Sequence, residues 1–186
     1  LFPIRHGLTI GEMALIINEV GWTKNSKRIE LSILPLSNWK RNMWYGETDL
    51  PWRNLNPFIV QETNLLTYCG MDLFRGTNLN VGFGTDLVFM VVGAPWLSTS
   101  FLLDKINDQN LLGVEFKEVK YRPNGTIYNE RVPKYDGLSC SGIKIKINNR
   151  NGFQPIVTAT TLMLLIERLH PRQFQWAKDD YVDKLF

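Results

Sequence analysis

Arg75-Gly76-Thr77-Asn78-Leu79-Asn80-Val81-Gly82-Phe83-Gly84-Thr85-Asp86 is the stretch on which the reading of the chain turns. It sets three glycines, two threonines, two asparagines and an aspartate between apolar runs. Glycine reaches backbone conformations closed to other residues and lets another group approach the main chain closely. Thr and Asn add donors and acceptors that can bond the loop's own backbone or a ligand. Two readings therefore stand side by side: a polar loop that satisfies its own amides, and a ligand-facing loop. Gly82-x-Gly84 followed by Thr85-Asp86 lacks the Lys-Ser/Thr of a phosphate loop. It also lacks the third glycine and helix opening of a dinucleotide fingerprint, so no nucleotide cofactor is expected.

Working outward, Leu87 to Val92 is an apolar run too short for a typical helix, ended by Gly93-Ala94-Pro95. It reads as a central strand. Upstream, Gln61 to Tyr68 reads as a short helix and Met71 to Phe74 as a short buried strand. Downstream, Ser98 or Thr99 can cap a helix carrying Phe101, Leu102, Leu103 and Ile106. Val114 to Tyr121 is a strand closed by Pro123, and Asn124-Gly125 signals a turn. Ile143-Lys144-Ile145-Lys146-Ile147 alternates with period two, isoleucines to the core and lysines to solvent. A last helix is expected over 155–169, with Pro155 in its first turn and Leu162, Leu165, Ile166 and Leu169 as its core stripe. Phe174 and Trp176 are expected to pack the segment after it.

Near the start, Thr9-Ile10-Gly11-Glu12 fits a capping box ahead of a helix over 10–20, which Gly21 stops. Arg28 to Leu36 alternates like a strand ending at Pro35. The sum is one α+β domain over 1–186, a mixed β-sheet packed with helices.

Composition narrows the function classes. At 44% hydrophobic and 21% charged residues the chain reads as globular. Its 21 basic against 18 acidic residues leave +3, with the lysines and arginines scattered, so no nucleic-acid partner is expected. No apolar run approaches the roughly 18 residues of a membrane span. Two cysteines and two histidines are too few for a metal site; Cys69 and Cys140 read as free thiols, with a disulfide between them the alternative.

Trp39, Trp44, Tyr45 and Trp52 are interleaved with Lys40, Arg41, Asp49 and Arg53. Flat apolar faces beside hydrogen-bonding groups suit a sugar ring; equally, such tryptophans can pin an irregular segment to a core. Arg5 and His6, just ahead of a helix N-terminus, could bond a carboxylate or hydroxyls. Glu12 has a complete structural role as a cap and an alternative one as a sugar-facing carboxylate. Glu47, Glu62 and Asp86 are further carboxylates placed in motifs. No Gly-x-Ser-x-Gly elbow surrounds Ser98, Ser100, Ser139 or Ser141.

Gly76-Thr77-Asn78-Leu79, Gly82-x-Gly84-Thr85 and Gly93-Ala94-Pro95-Trp96 resemble the signature of the C-terminal domain of NamZ-type exo-β-N-acetylmuramidases. Pro3 to Glu12, Met43-Trp44, Thr48-x-Leu50-Pro51-Trp52, Cys140-x-Gly142 and Phe153-x-Pro155 are similar to it in the same order. The resemblance implies a glycosidase that releases terminal N-acetylmuramic acid from peptidoglycan fragments, in a periplasmic or extracellular setting. It implies an upstream Rossmann-like catalytic domain as partner, a short further C-terminal piece, and hence that 1–186 is a fragment inactive alone. Substrate contacts would fall to Arg5, His6, Trp44, Thr77, Asn78 and Trp96, with Glu12 a candidate catalytic group and the main acid upstream. The competing expectation is a non-catalytic glycan-binding or structural accessory module. Two positions depart from the family pattern: Arg75 stands where an acidic residue is usual, and Phe83 where an arginine is usual.

Overall fold

The computed structural model describes residues 6–22, 27–127 and 132–177. Two compact units make up the chain, Leu1–Pro51 and Trp52–Phe186.

In the first unit the capping box forms as the sequence requires. The Glu12 N–H donates to Thr9 Oγ1 at 3.1 Å and the Thr9 N–H to Glu12 Oε2 at 2.7 Å. Helix α1 runs Ile10–Val20 and ends on Gly21 in the left-handed conformation, φ 71°. The segment after it is not a strand: residues 27–36 carry no regular structure and no ladder partner. The Asn18 carboxamide stands in for that partner. Its Nδ2 donates to Ile29 O, and its Oδ1 accepts from Ile29 N, both at 2.9 Å. Ile33 lies over Gly11, where an added Cβ would come within 2.8 Å of its Cγ2.

The second unit holds the core. Helix α2 runs Glu62–Met71 and continues into a 3-10 segment, Asp72–Gly76, where a strand over 71–74 was expected. That run is buried on all sides, with Phe74 at 0% exposure, so period gives no guide to its backbone. Strand β1 is Val91–Ala94, α3 Ser100–Asn107, β2 Val114–Tyr121, β3 Cys140–Ile147 and α4 Pro155–Leu169. The sheet order is β1-β3-β2 and both pairings are antiparallel. The α+β class is as expected, but within the described residues the sheet is antiparallel rather than mixed. The middle strand is β3 with its alternating isoleucines; β1, expected to be central, lies at an edge. Residues 87–90 of the apolar run form a turn, Phe89 adopting φ 61°.

Register assigns the two faces. Val92, Phe116, Ile143 and Ile145 face the helices, where Leu102 and Ile106 of α3 and Leu162 and Ile166 of α4 are fully buried. On the other face Gly93 lies opposite Gly142. An added Cβ on Gly142 would reach Tyr121 Cε1 at 2.9 Å, so the missing side chain makes room for that ring. Farther along, Lys146 pairs with Glu115 at 3.3 Å across the strands, a solvated contact.

α2 and α4 meet at Gly70. A Cβ there would fall 2.0 Å from the Pro155 carbonyl oxygen and 3.0 Å from Ala159 Cβ. Alanine is the better helix former by about 1 kcal/mol, yet the clash is with backbone that cannot turn aside. Gly70→Ala is therefore expected to destabilise the protein by roughly 2–3 kcal/mol, read from urea unfolding. A gain in stability would show that the helices do not meet so closely.

Candidate functional site

The glycine-rich loop runs inward. Thr77 is fully buried; its hydroxyl donates to Phe74 O at 2.7 Å and accepts from Leu79 N at 3.1 Å. Asn80, 2% exposed, accepts from Gly82 N at 2.7 Å and donates to Phe83 O and Lys134 O at 3.1 and 2.9 Å. Thr85 donates to Gly82 O and accepts from Leu87 N. Gly82 and Gly84 take φ 84° and 82°. A Cβ on Gly82 would strike Leu87 O at 2.2 Å, so the turn needs glycine both for its dihedral and for space.

Asn78 ties the loop to the segment after α4. Its Nδ2 donates to Gln173 O at 2.8 Å, its Oδ1 accepts from Gln175 N at 3.0 Å, and its N–H donates to Gln175 O at 2.9 Å. Its carbonyl accepts from the Tyr135 hydroxyl at 2.7 Å, and that hydroxyl accepts from Trp96 Nε1 at 3.0 Å. The Trp96 ring, half-buried, meets His170 edge-on with centroids 5.6 Å apart. Thus Thr77, Asn78 and Trp96, three residues picked out in the sequence, do come together, and Tyr135 is the hub between Asn78 and Trp96. Lys134 next to it donates through Nζ to Arg75 O and Thr77 O. Neither Lys134 nor Tyr135 stands out in the sequence: both lie in a stretch without periodicity, 39 to 59 residues from the groups they hold.

Outside this buried frame, Arg75 bonds Asp72 at 3.1 Å and lies over the Phe83 ring, 5.8 Å from its centroid. Arg75 and Phe83, both singled out in the sequence, thus lie against each other. Asp86 is exposed.

In the first unit, Arg41 donates to Glu12 Oε1 and to Gly7 O. The Arg41 guanidinium, and after it the Thr9 N–H, hold the Glu12 carboxyl below its ordinary 4.5. A group that donates a proton near neutrality needs the opposite shift. His6 is exposed and accepts from Leu8 N through Nδ1. Trp44, half-buried, precedes a 3-10 turn, and its N–H donates to Glu47 Oε2 at 3.0 Å. Arg5 lies outside the described residues. Both cysteines are free; burial pushes the Cys140 thiol up to about 11. Among the described residues no three His, Cys, Asp or Glu side chains cluster as metal ligands. No described helix is long and apolar enough to cross a membrane.

Tyr135→Phe removes one acceptor and one donor at once, leaving the Trp96 indole and the Asn78 carbonyl without their partner. A loss of about 1–3 kcal/mol is expected, with faster hydrogen exchange of the Trp96 indole proton; unchanged exchange would show that the indole is held elsewhere. Glu12 gives a pH prediction. Its folded value is lowered, so the unfolded chain binds more protons in the interval up to 4.5. Its contribution is complete above that interval and is lost as pH falls through it. Glu12→Gln should flatten the acid limb of thermal stability below about pH 4.5, and an acid limb of unchanged slope would refute the assignment.

The family model described as exo-beta-N-acetylmuramidase NamZ, C-terminal, matches residues 66–186, and the N-terminal model of the same family matches 1–63. His6, Glu12 and Trp44 lie within the residues that the N-terminal model matches. The peptidoglycan beta-N-acetylmuramidase NamZ of Bacillus subtilis (strain 168) is 28% identical over 183 residues, 98% of this chain and 42% of that protein. Crystal structures of two DUF1343 family proteins from Bacteroides fragilis NCTC 9343 share the fold. One has a TM-score of 0.78 at 24% identity over 88% of this chain and 41% of its own; the other has 0.63 at 21% over 97% and 47%. The chain spans less than half the length of each of these relatives. With one family model covering well over half of its residues, the chain belongs to the NamZ exo-β-N-acetylmuramidase family, a family of glycoside hydrolases.

Proposed function

We propose that the chain is part of a hydrolase that releases terminal N-acetylmuramic acid from peptidoglycan fragments, and that its second unit supplies a fixed wall of the substrate cleft. The observation that carries this reading is the family match over 66–186, which includes the whole glycine-rich loop. In the proposal Trp96 of the second unit meets a sugar by stacking; within the first unit Trp44 does so by stacking, and His6 and Arg5 at a polar rim. Thr77 and Asn78 act one step back. Their side chains bond backbone carbonyls and amides of the loop and of residues 173–175, so they fix the surface that the sugar meets.

The catalytic acid is assigned to the remainder of a longer protein. Glycosidases commonly set two carboxyl groups about 5–10 Å apart across the scissile bond, one of them kept protonated. Glu12 is held by Arg41 and lowered; Asp72 is bonded to Arg75; Glu62 lies 3.8 Å from Arg150. Each of these three carboxylates is matched with a cation. That pattern also favours the second reading, a structural or glycan-binding accessory module.

Hydrolysis of a chromogenic β-N-acetylmuramide separates the two. The 186-residue chain alone is expected to release no chromophore, and a protein carrying it at the relatives' full length is expected to release N-acetylmuramic acid. Turnover by the chain alone would overturn the assignment of the acid elsewhere. No turnover by the longer protein would leave the accessory module as the function.

A further inference from the structure

Asn124-Gly125 is one of two Asn-Gly steps in the chain; the other is Asn151-Gly152. Such a step is open to attack by the glycine nitrogen on the side-chain carbonyl of the asparagine, because glycine has no Cβ to obstruct the approach. The two steps differ in what surrounds the reacting atoms.

At the first step the asparagine side chain is folded forward over the peptide that follows it. Asn124 Oδ1 accepts from Thr126 N at 3.0 Å and from Thr126 Oγ1 at 2.8 Å. Two donors on one carbonyl oxygen polarise Cγ, and they are placed to hold the charge that develops on that oxygen when a nucleophile adds. The nucleophile is held as well. Gly125 N–H donates to Asp136 Oδ1 at 2.8 Å, within the reach of a general base. An added Cβ at Gly125 would stand 3.3 Å from Asp136 Oδ2, so the carboxylate lies close over the glycine. Asn124 is exposed, and its Nδ2, the group that leaves, donates to no described residue. At the second step Gly152 N–H donates instead to Asn149 Oδ1 at 3.3 Å, a neutral carboxamide that takes up no proton.

We propose that Asn124 is a self-modification site, deamidated to aspartate and isoaspartate with Asp136 as the base and Thr126 as the oxyanion holder. Asp136 takes the proton of Gly125 N as that nitrogen bonds to Asn124 Cγ, and the two Thr126 donors hold the oxyanion that results. The tetrahedral centre then collapses. The Cγ–Nδ2 bond breaks, and Asp136 returns the proton to the departing nitrogen, which leaves as ammonia. Water opens the cyclic imide at either of its carbonyls. The sum is asparagine plus water giving a carboxylate plus ammonia, with nothing oxidised or reduced.

The place of the step gives the reaction a consequence. Asn124 N–H donates to Gly84 O at 2.9 Å, so the modified residue sits directly on the glycine-rich loop. Isoaspartate routes the main chain through Cβ and Cγ, which lengthens it between the contact with Gly84 and the contact with Asp136. Either product also sets a new carboxylate on the turn that Asp136 already binds, where like charges repel. Deamidation at Asn124 would thus loosen the loop with the age of the molecule. A turn cap made of the same hydrogen bonds would slow the reaction by holding the backbone still, so the sign of the fold's effect separates the two roles.

The test is incubation of the 186-residue chain near neutral pH, followed by peptide mapping that reads the gain of about one mass unit at each Asn-Gly step and separates aspartate from isoaspartate. Asn151-Gly152 is the internal control, and the same chain in denaturing urea gives the rate of each step without its surroundings. In the folded chain Asn124 is expected to react about tenfold faster than Asn151, and faster than it does itself in urea, where the two steps converge. Asp136→Ser removes the base and should slow Asn124 about tenfold with Asn151 unchanged. Thr126→Val removes the hydroxyl donor at similar shape and should slow it as well. Asn124 reacting no faster than Asn151, reacting more slowly folded than in urea, or undiminished by Asp136→Ser would each overturn the proposal. The comparison of folded with unfolded native sequence decides even where a variant does not fold. Because the readout is the mass of this chain, the result is independent of the hydrolysis test.

Discussion

Irregular backbone inside a protein must find partners for every amide and carbonyl it removes from water, and here that requirement falls chiefly on Asn80. A helix or strand meets the demand by its own geometry; a loop containing Gly76, Thr77, Leu79 and Val81, all buried, does not. The Asn80 carboxamide bonds Gly82 N, Phe83 O and Lys134 O together. Its backbone exchanges both hydrogen bonds with Gly93 at 2.9 Å, which closes part of the free edge of β1. Leaving one buried polar group unmatched costs about 1–3 kcal/mol, so a side chain that satisfies several at once decides whether such a loop can lie in the core at all. Thr77 and Thr85 repeat the device on a smaller scale, each hydroxyl donating to a carbonyl three residues back and accepting from an amide two residues on.

The sheet is shaped by the same loop. Gly93 and Gly142 face each other and leave a gap that the Tyr121 ring fills, and the Tyr121 hydroxyl donates to Asn80 O at 3.2 Å. Burial raises the Tyr121 phenol well above its ordinary 10, so it stays a neutral donor across any physiological pH. Strand, ring and loop form one unit, to which residues 133–136 add Lys134 on two carbonyls and Tyr135 on a third. A surface supported from behind in this way loses little entropy when a ligand meets it. Preorganisation of that kind is what the proposed cleft wall would contribute to binding.

Elements whose cause is local were legible in the sequence. The Thr9–Glu12 box and Gly21 bound α1, Pro155 opens α4, and alternation marked Ile143 to Ile147, because caps and periodicity depend on neighbours a few residues away. Arg28 to Leu36 alternates equally well and is no strand, since its hydrogen bonds go to the Asn18 side chain rather than to another strand. Leu87 to Met90 is apolar without a polar side, and Met71 to Phe74, broken only by Asp72, is buried throughout; such short runs carry no period to read. The candidate site was legible in residue type only. Nothing near Asn78 announces that its carboxamide bonds Gln173 and Gln175, 95 and 97 residues on. A polar loop that grips its own protein and one that grips a sugar have the same composition; the difference lies in partners that only the fold supplies.

The contact between Arg75 and Phe83 shows how a charge is kept at the rim of that loop. The guanidinium lies over the aromatic face, with Asp72 bonded to it at 3.1 Å. A cation over a ring gains about 0.5–1 kcal/mol at exposed sites, comparable to an exposed ion pair. Arg75 is thus held from two sides, by a carboxylate on the preceding turn and by a ring within the loop. The carboxylate matches its charge locally, and the ring ties the 3-10 segment to the glycine-rich turn.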